Sequence, residues 1–233
     1  MKPNVPILQR TRRGYTLAEI LVSMTIMGLV GVGMIAFLTQ GMKTYYKDRA
    51  RLMINRDIRS FTSQMDTDAV DANSFCLYTS FTSHADPKLD SGRVGDYLVL
   101  LYYDPALTSS GQSMITKLVG YYREVTDTTL NTGPVHRFVI DLTATPIDAK
   151  TTPMNTVITN NVTGSASSYP IVTQLAQGLA VSTSGNATVT PALFYNFNNH
   201  SVLIDTQIAE ALTEKGVTSQ TGNTYNFTVS PRG

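Results

Sequence analysis

Arg12-Arg13-Gly14-Tyr15-Thr16-Leu17-Ala18-Glu19 stands immediately before ILVSMTIMGLVGVGMIAFLTQGM, residues 20–42. These 23 residues carry no charge. As a helix they extend about 35 Å at ~1.5 Å per residue. The hydrocarbon core of a bilayer is about 30 Å thick, so the run is long enough to cross one. Lys2, Arg10, Arg12 and Arg13 precede the run; Lys43, Lys47, Arg49 and Arg51 follow it. Basic residues on both flanks leave the positive-inside comparison nearly balanced. The first flank commonly dominates, which favours a cytoplasmic N-terminus.

Outward from this stretch, charge divides the chain. The 233 residues sum to +1. Residues 1–59 hold ten basic and three acidic side chains, residues 60–233 eight and fourteen. Near-neutrality is therefore the sum of two opposed halves, a sign of segments with different surroundings. The single cysteine, Cys76, excludes an intrachain disulfide and a cysteine-based zinc site. Thr, Ser and Asn make up 63 residues against a charged fraction of 15%. That balance suits a β-rich, hydroxyl-covered surface. The 42% apolar fraction is enough for a real core.

A secretory signal has a shorter apolar region, about 7–15 residues, and then a small-x-small cleavage site. This run is longer and no such site follows. Arg12-Arg13 alone is a weak match to a twin-arginine signal. Glu19 is the unusual residue. A carboxylate at the mouth of a membrane helix is costly and is a functional candidate by default. Its plainer reading is an acid in the first turn, where the helix dipole favours negative charge.

The stretch RRGYTLAEILVSM resembles the class III signal of type IV pilins and pseudopilins. Basic leader, Gly, aromatic residue, Glu and apolar run all fall in register over residues 10–60. The resemblance implies a leader of residues 1–14, cut by a prepilin peptidase between Gly14 and Tyr15. It implies N-methylation at Tyr15 and an assembly role for Glu19, paired with the N-terminal amine of a neighbouring subunit. Tyr15 replaces the more usual Phe, and Ala36 stands where the family commonly has Pro. Gly28, Gly31 and Gly33 lower helix propensity, about 0.5–1 kcal/mol each against Ala. They read equally as a locally meltable turn or as close helix packing in a membrane. Losing the leader removes four basic side chains and takes the charge from +1 to −3.

Met42, Tyr46, Ala50, Ile54, Ile58, Phe61, Met65 and Ala69 recur at three or four residues, one helical face. Neither Pro nor Gly interrupts residues 42–72. The expectation is one helix over 15–72: residues 15–42 for membrane or filament core, residues 43–72 amphipathic. A β-rich head over 73–233 completes an α+β protein. Strands are expected at 74–80, 96–103, 115–124, 135–143, 192–197, 202–205 and 225–229, with 171–179 either helix or strand. Asp104-Pro105, Gly111 and Gly133-Pro134 read as turns of an antiparallel meander. Residues 151–204 contain no Asp, Glu, Lys or Arg, which reads as a hydroxyl-rich extracytoplasmic surface. The ending NFTVSPR resembles the tail of J-type minor pseudopilins. Asn161, Asn186, Asn199 and Asn226 open N-x-S/T triplets expected by chance at this Thr content.

No catalytic, cofactor or metal site is expected. His84, His136 and His200 lack ligand spacing. Asp66-x-Asp68-x-x-Asp71 lacks the Gly and terminal Glu of a calcium loop and reads as a solvated acidic face. Cys76 between Phe75 and Leu77 reads as core. The basic run Lys43–Arg59 reads as a solvated helix face rather than a DNA or lipid-headgroup surface. The expectation is a structural subunit, favouring a minor one, of a type IV pilus or type II secretion pseudopilus. It is stored in the bacterial inner membrane with its head in the periplasm. Its partners are other subunits, the prepilin peptidase and the assembly platform, with no small-molecule substrate. The alternative is a single-pass anchored binding or enzymatic domain.

Overall fold

A computed structural model describes residues 14–85, 87, 90–109, 111–183, 190–214 and 217–232. The basic leader residues Lys2, Arg10, Arg12 and Arg13 and the Asn186 triplet lie outside the described residues. The protein is α+β: one long N-terminal helix, then an antiparallel sheet. The chain divides into two compact units, Met1–Asp48 and Arg49–Gly233, and helix α1 (Leu17–Asp71) contributes to both. No proline interrupts its 55 residues. Its C-terminus passes directly into the sheet. Asn73 N–H donates to Leu101 O at 2.9 Å, and Arg232 N–H donates to Ala72 O at 2.8 Å.

In the first unit the helix keeps its apolar side chains outside. Its most apolar 18-residue window has a mean hydropathy of 2.3 and buries none of its residues against the described chain. Met27 is 80% exposed and Phe37 78%. Apolar burial is worth about 25 cal/mol per Å², so a surface of this kind calls for lipid or protein around it. Ser23, Thr25, Thr39 and Thr44 each donate their hydroxyl to a carbonyl four residues back, at 2.7–3.1 Å. The hydroxyls are thereby satisfied locally, as an apolar medium requires.

The second unit holds a nine-stranded sheet. Its strands are β1 (Ser74–Tyr78), β2 (Val94–Gly95), β3 (Tyr97–Ser109), β4 (Gln112–Arg123), β5 (Thr132–Asp141), β6 (Ile171–Gly178), β7 (Phe194–Phe197), β8 (Ser201–Glu214) and β9 (Val217–Val229). They run in the order β1-β3-β4-β5-β6-β8-β7-β2, with β9 on β8. Each pairing is antiparallel. One core lies between a sheet face and the helix residues Ile54, Phe61, Met65 and Ala69. The other lies on the opposite face, closed by α2 (Met154–Asn161) through Val157 and Ile158. Strand β3 serves both: Leu98, Leu100 and Tyr102 join the first core, and Tyr97, Val99 and Leu101 the second. Burial on both faces explains why residues 97–103 read YLVLLYY without polar alternation.

Several expectations are corrected. Met42 and Tyr46 are 63% and 49% exposed, because burial along α1 begins at Ala50. Asp104-Pro105 is a bulge inside β3, where the pairing jumps from Asp104–Met114 to Thr108–Ser113. Proline has no N–H for the ladder, so a bulge suits it. Gly133-Pro134 opens β5 rather than turning the chain. A Cβ at Gly133 would lie 1.7 Å from Glu124 O, so only glycine fits. Residues 171–178 are strand, and β8 and β9 extend well beyond the expected 202–205 and 225–229, pairing from Val202–Val229 to Glu214–Val217. Neither α2 nor β2 was signalled by periodicity, since eight and two residues are too few.

Asp68 is not part of a solvated acidic face. It is 8% exposed, on the sheet side of α1. Arg137 of β5 donates Nε–H to its Oδ2 at 2.8 Å and an Nη2 hydrogen to its Oδ1 at 2.9 Å. The Tyr121 hydroxyl donates to the same carboxylate, and the Tyr102 hydroxyl to Asp68 O at 2.6 Å. This network pins the helix to three strand-borne side chains. Aspartate hydrogen bonding and charge hold the Arg137 guanidinium more firmly protonated than usual, and burial pushes the Tyr121 phenol up.

Removing one member leaves a nearly buried carboxylate uncompensated. Arg137→Ala is expected to cost about 3 kcal/mol, with Arg137→Lys recovering only part because the two-point fork is lost. Denaturant unfolding of the detergent-solubilised chain, followed by near-UV tyrosine circular dichroism, checks this; an unchanged midpoint contradicts it. Burial also pushes the Cys76 thiol up to about 11. Thiolate, the reactive form, is therefore scarce at pH 8. Iodoacetamide should label Cys76 only after denaturation; rapid labelling of the folded chain contradicts its burial.

Candidate functional site at the helix N-terminus

The first turn of α1 is built by two side chains. Thr16 O accepts the Ile20 N–H at 3.2 Å, which makes Thr16 the cap residue. Its hydroxyl oxygen accepts the Glu19 N–H at 3.3 Å. Glu19 reaches back in return, and its Oε2 accepts the Thr16 N–H at 2.9 Å and the Thr16 hydroxyl at 3.1 Å. This is a reciprocal capping box. The sequence signal for it is Thr16-x-x-Glu19 directly before an apolar run. Among the described residues Glu19 Oε1 takes no hydrogen bond. The first-turn acid is thus held by its own helix end, and one carboxylate oxygen stays available.

Gly14 precedes the helix in irregular backbone, and Tyr15 is 84% exposed beside it. The bond between them is open on all sides within the described chain. Gly28, Gly31 and Gly33 lie inside unbroken α1, and a Cβ at any of them would meet nothing within 4 Å. Nothing among the described residues therefore requires glycine at those positions.

Residues 9–35 match the signature described as a prokaryotic N-terminal methylation motif. The chain carries a type IV prepilin-like processing signal. That signal spans the Gly14–Tyr15 bond, Glu19 and the three glycines in one stretch. It supports a pilin-like protein processed by a prepilin peptidase and assembled with other pilin subunits. With the apolar helix it fits single-pass anchoring in a membrane before assembly. No curated protein and no solved structure matches the chain.

Elsewhere, among the described residues, no three His, Cys, Asp or Glu side chains come together as metal ligands would. His136 Nδ1 bonds Tyr169 O at 2.7 Å, its Nε2 lies 3.2 Å from Glu124, and its ring stacks on Tyr122. His84 Nδ1 bonds Phe81 O at 2.7 Å, and His200 sits in the β7–β8 turn. Arg123, 2% exposed, holds Asp96 through Nε at 3.1 Å and Nη2 at 2.8 Å. It also donates to Asn131 O at 2.6 Å and Pro191 O at 3.3 Å, joining three loops. Asp96 also accepts the Leu193 N–H at 2.8 Å. Burial pushes the Asp96 carboxyl up, opposed by this guanidinium and N–H. These side chains are consumed in holding the head together.

The capping box has its own test. Thr16→Ala removes one cap acceptor, worth about 1 kcal/mol, or roughly fivefold in local opening. Amide exchange at Glu19 in micelles should accelerate by about that factor, with Thr16→Ser near wild type. Equal rates in all three chains would show that the cap does not hold the turn.

Proposed function

We propose that this chain is a structural subunit, not an enzyme, of a type IV pilus or type II secretion pseudopilus, and a minor one. Residues 1–14 are removed between Gly14 and Tyr15, and the new Tyr15 amine is methylated. The observation that carries the reading is the apolar half of α1, exposed on every side and preceded by the processing signal. In the membrane, lipid covers it; in a filament, the helices of neighbouring subunits do. The N-terminus faces the cytoplasm and the head the periplasm. The membrane pool feeds an assembly platform, and the finished filament lies in the periplasm or on the cell surface.

The capping box supports a defined role for Glu19. The Thr16 N–H and hydroxyl lessen the cost of a carboxylate at the membrane surface. Oε1 remains to accept the Tyr15 amine of a neighbour. That pair forms only on assembly, so it selects register. A lone cysteine forbids the disulfide-closed loop that major pilins often carry, and the large uncharged stretch enlarges the head, which together favour a minor, J-like place.

Two measurements test this. Mass spectrometry of the membrane-extracted chain should find a methylated Tyr15 at the N-terminus; an intact Met1 sinks the reading. Glu19→Ala should leave membrane insertion unchanged and reduce recovery in sheared or crosslinked filaments at least tenfold. Undiminished assembly would remove the pairing role.

A further inference from the structure

The segment between β5 and β6, residues 142–170, carries α2 over the second core and ends in a short strap bonded to β4 and β5. Three bonds fasten that strap. Arg137 N–H donates to Pro170 O at 3.0 Å, the Tyr122 hydroxyl donates to Ala166 O, and His136 Nδ1 lies 2.7 Å from Tyr169 O. His136 is 2% exposed, and its ring stacks on Tyr122 with centroids 5.1 Å apart. A carbonyl only accepts, so Nδ1 carries a hydrogen. Nε2 is buried, makes no aligned hydrogen bond, and faces Glu124 Oε2 at 3.2 Å. An ionised carboxylate also only accepts. Both ring nitrogens therefore face acceptors, whereas a neutral imidazole supplies a single N–H. His84 differs. Its Nδ1 bonds Phe81 O at 2.7 Å, but its Nε2 meets the Thr159 hydroxyl at 3.2 Å, which donates or accepts as needed.

We propose that His136 is a proton-operated clasp: as imidazolium it joins Tyr169 O of the strap to Glu124 at the end of β4, and losing the proton loosens the strap. Among the described residues, Tyr122 and Glu124 face the ring from β4 and Tyr169 from the strap. Neither α2 nor β6 carries a titratable side chain, and Arg137 beside it on β5 is held by Asp68. A neutral ring turns a lone pair on either the Tyr169 carbonyl or the Glu124 carboxylate. Either arrangement leaves a buried polar group unsatisfied. The carboxylate therefore favours the charged ring in the folded head. That stabilisation is present while the ring holds its second proton and is lost as rising pH removes it. Imidazole is the side chain whose charge changes near neutral pH. The Glu124 side chain is 30% exposed, so the proton leaves to water beside it and the carboxylate then turns outward. The strap slackens, and with it the end of the segment that carries α2. The clasp works within the head, whether or not the chain assembles.

The experiment uses the full-length chain in detergent micelles, with amide exchange and ring spectra of isotope-labelled histidine followed from about pH 6 to about pH 8. The Arg137 amide reports the strap directly, because its acceptor is Pro170 O. Its protection, corrected for intrinsic exchange, should fall roughly fivefold across that range. Glu124→Gln keeps the shape and removes the charge. In that variant the fall should shrink to less than about twofold, and His136 should lose its second ring proton at a lower pH than in the wild type. His136→Gln should abolish the dependence, and His84→Gln should leave it as in the wild type. Glu124 is part-exposed, so its variant tests the clasp even if His136→Gln fails to fold. A flat wild-type profile, protection that rises with pH, a profile unchanged by Glu124→Gln, or loss of the dependence in His84→Gln overturns the proposal.

Discussion

The Asp68–Arg137 pair decides how the helix sits on the sheet. An apolar stripe such as Ile54, Phe61 and Met65 can slide by a turn and still be buried, because apolar contact is non-directional. A carboxylate held at 2.8 and 2.9 Å by a guanidinium fork, and capped by a tyrosine hydroxyl, cannot. The Tyr102 hydroxyl on Asp68 O adds a fixed point from β3. The cost of leaving that acid unpaired makes one rotation and one axial position of the helix far better than the rest.

Because that inner face is fixed, the outer face is fixed too. The rotation that buries Asp68 exposes Arg56, Arg59, Asp66 and Asp71 together. It leaves the sheet free to bury its other side under α2. The first unit obeys a different constraint. There the helix has no partner among the described residues, its hydroxyls are satisfied by its own carbonyls, and its first turn by Thr16 and Glu19. Apart from Glu19 Oε1, these groups are satisfied within the helix itself, as an apolar surrounding requires.

Most of the helix and the central strands were legible along the chain. Residues 17–71 lack proline, with an apolar run to residue 42 and one apolar face beyond it, and β3, β4 and β5 are long and strongly apolar. The rest depends on contacts between residues far apart in the chain. Asp68 looked like its neighbours Asp66 and Asp71, since nothing local says that Arg137 faces it. Pro105 and Gly133 looked like turn residues because proline and glycine serve bulges and close backbone approaches as well. The β8–β9 hairpin is rich in Thr, Asn and Gln, which gives strand pairing without a clear alternation of apolar residues.

The sequence by itself determined the processing signal, the apolar span and the α+β order of elements. These depend on residues close together in the chain: a Gly-Tyr bond, an acid five residues on, an unbroken run of apolar side chains. Only the tertiary structure decided the sheet order, with β8 set between β6 and β7 on one edge and β9 on the other. It alone decided that Asp68 is buried while Asp66 and Asp71 are exposed, and that Arg123 joins Asp96 to Asn131 and Pro191. Those outcomes depend on which distant groups can satisfy a buried charge or a free strand edge. That is settled by three-dimensional proximity, which local spacing does not encode.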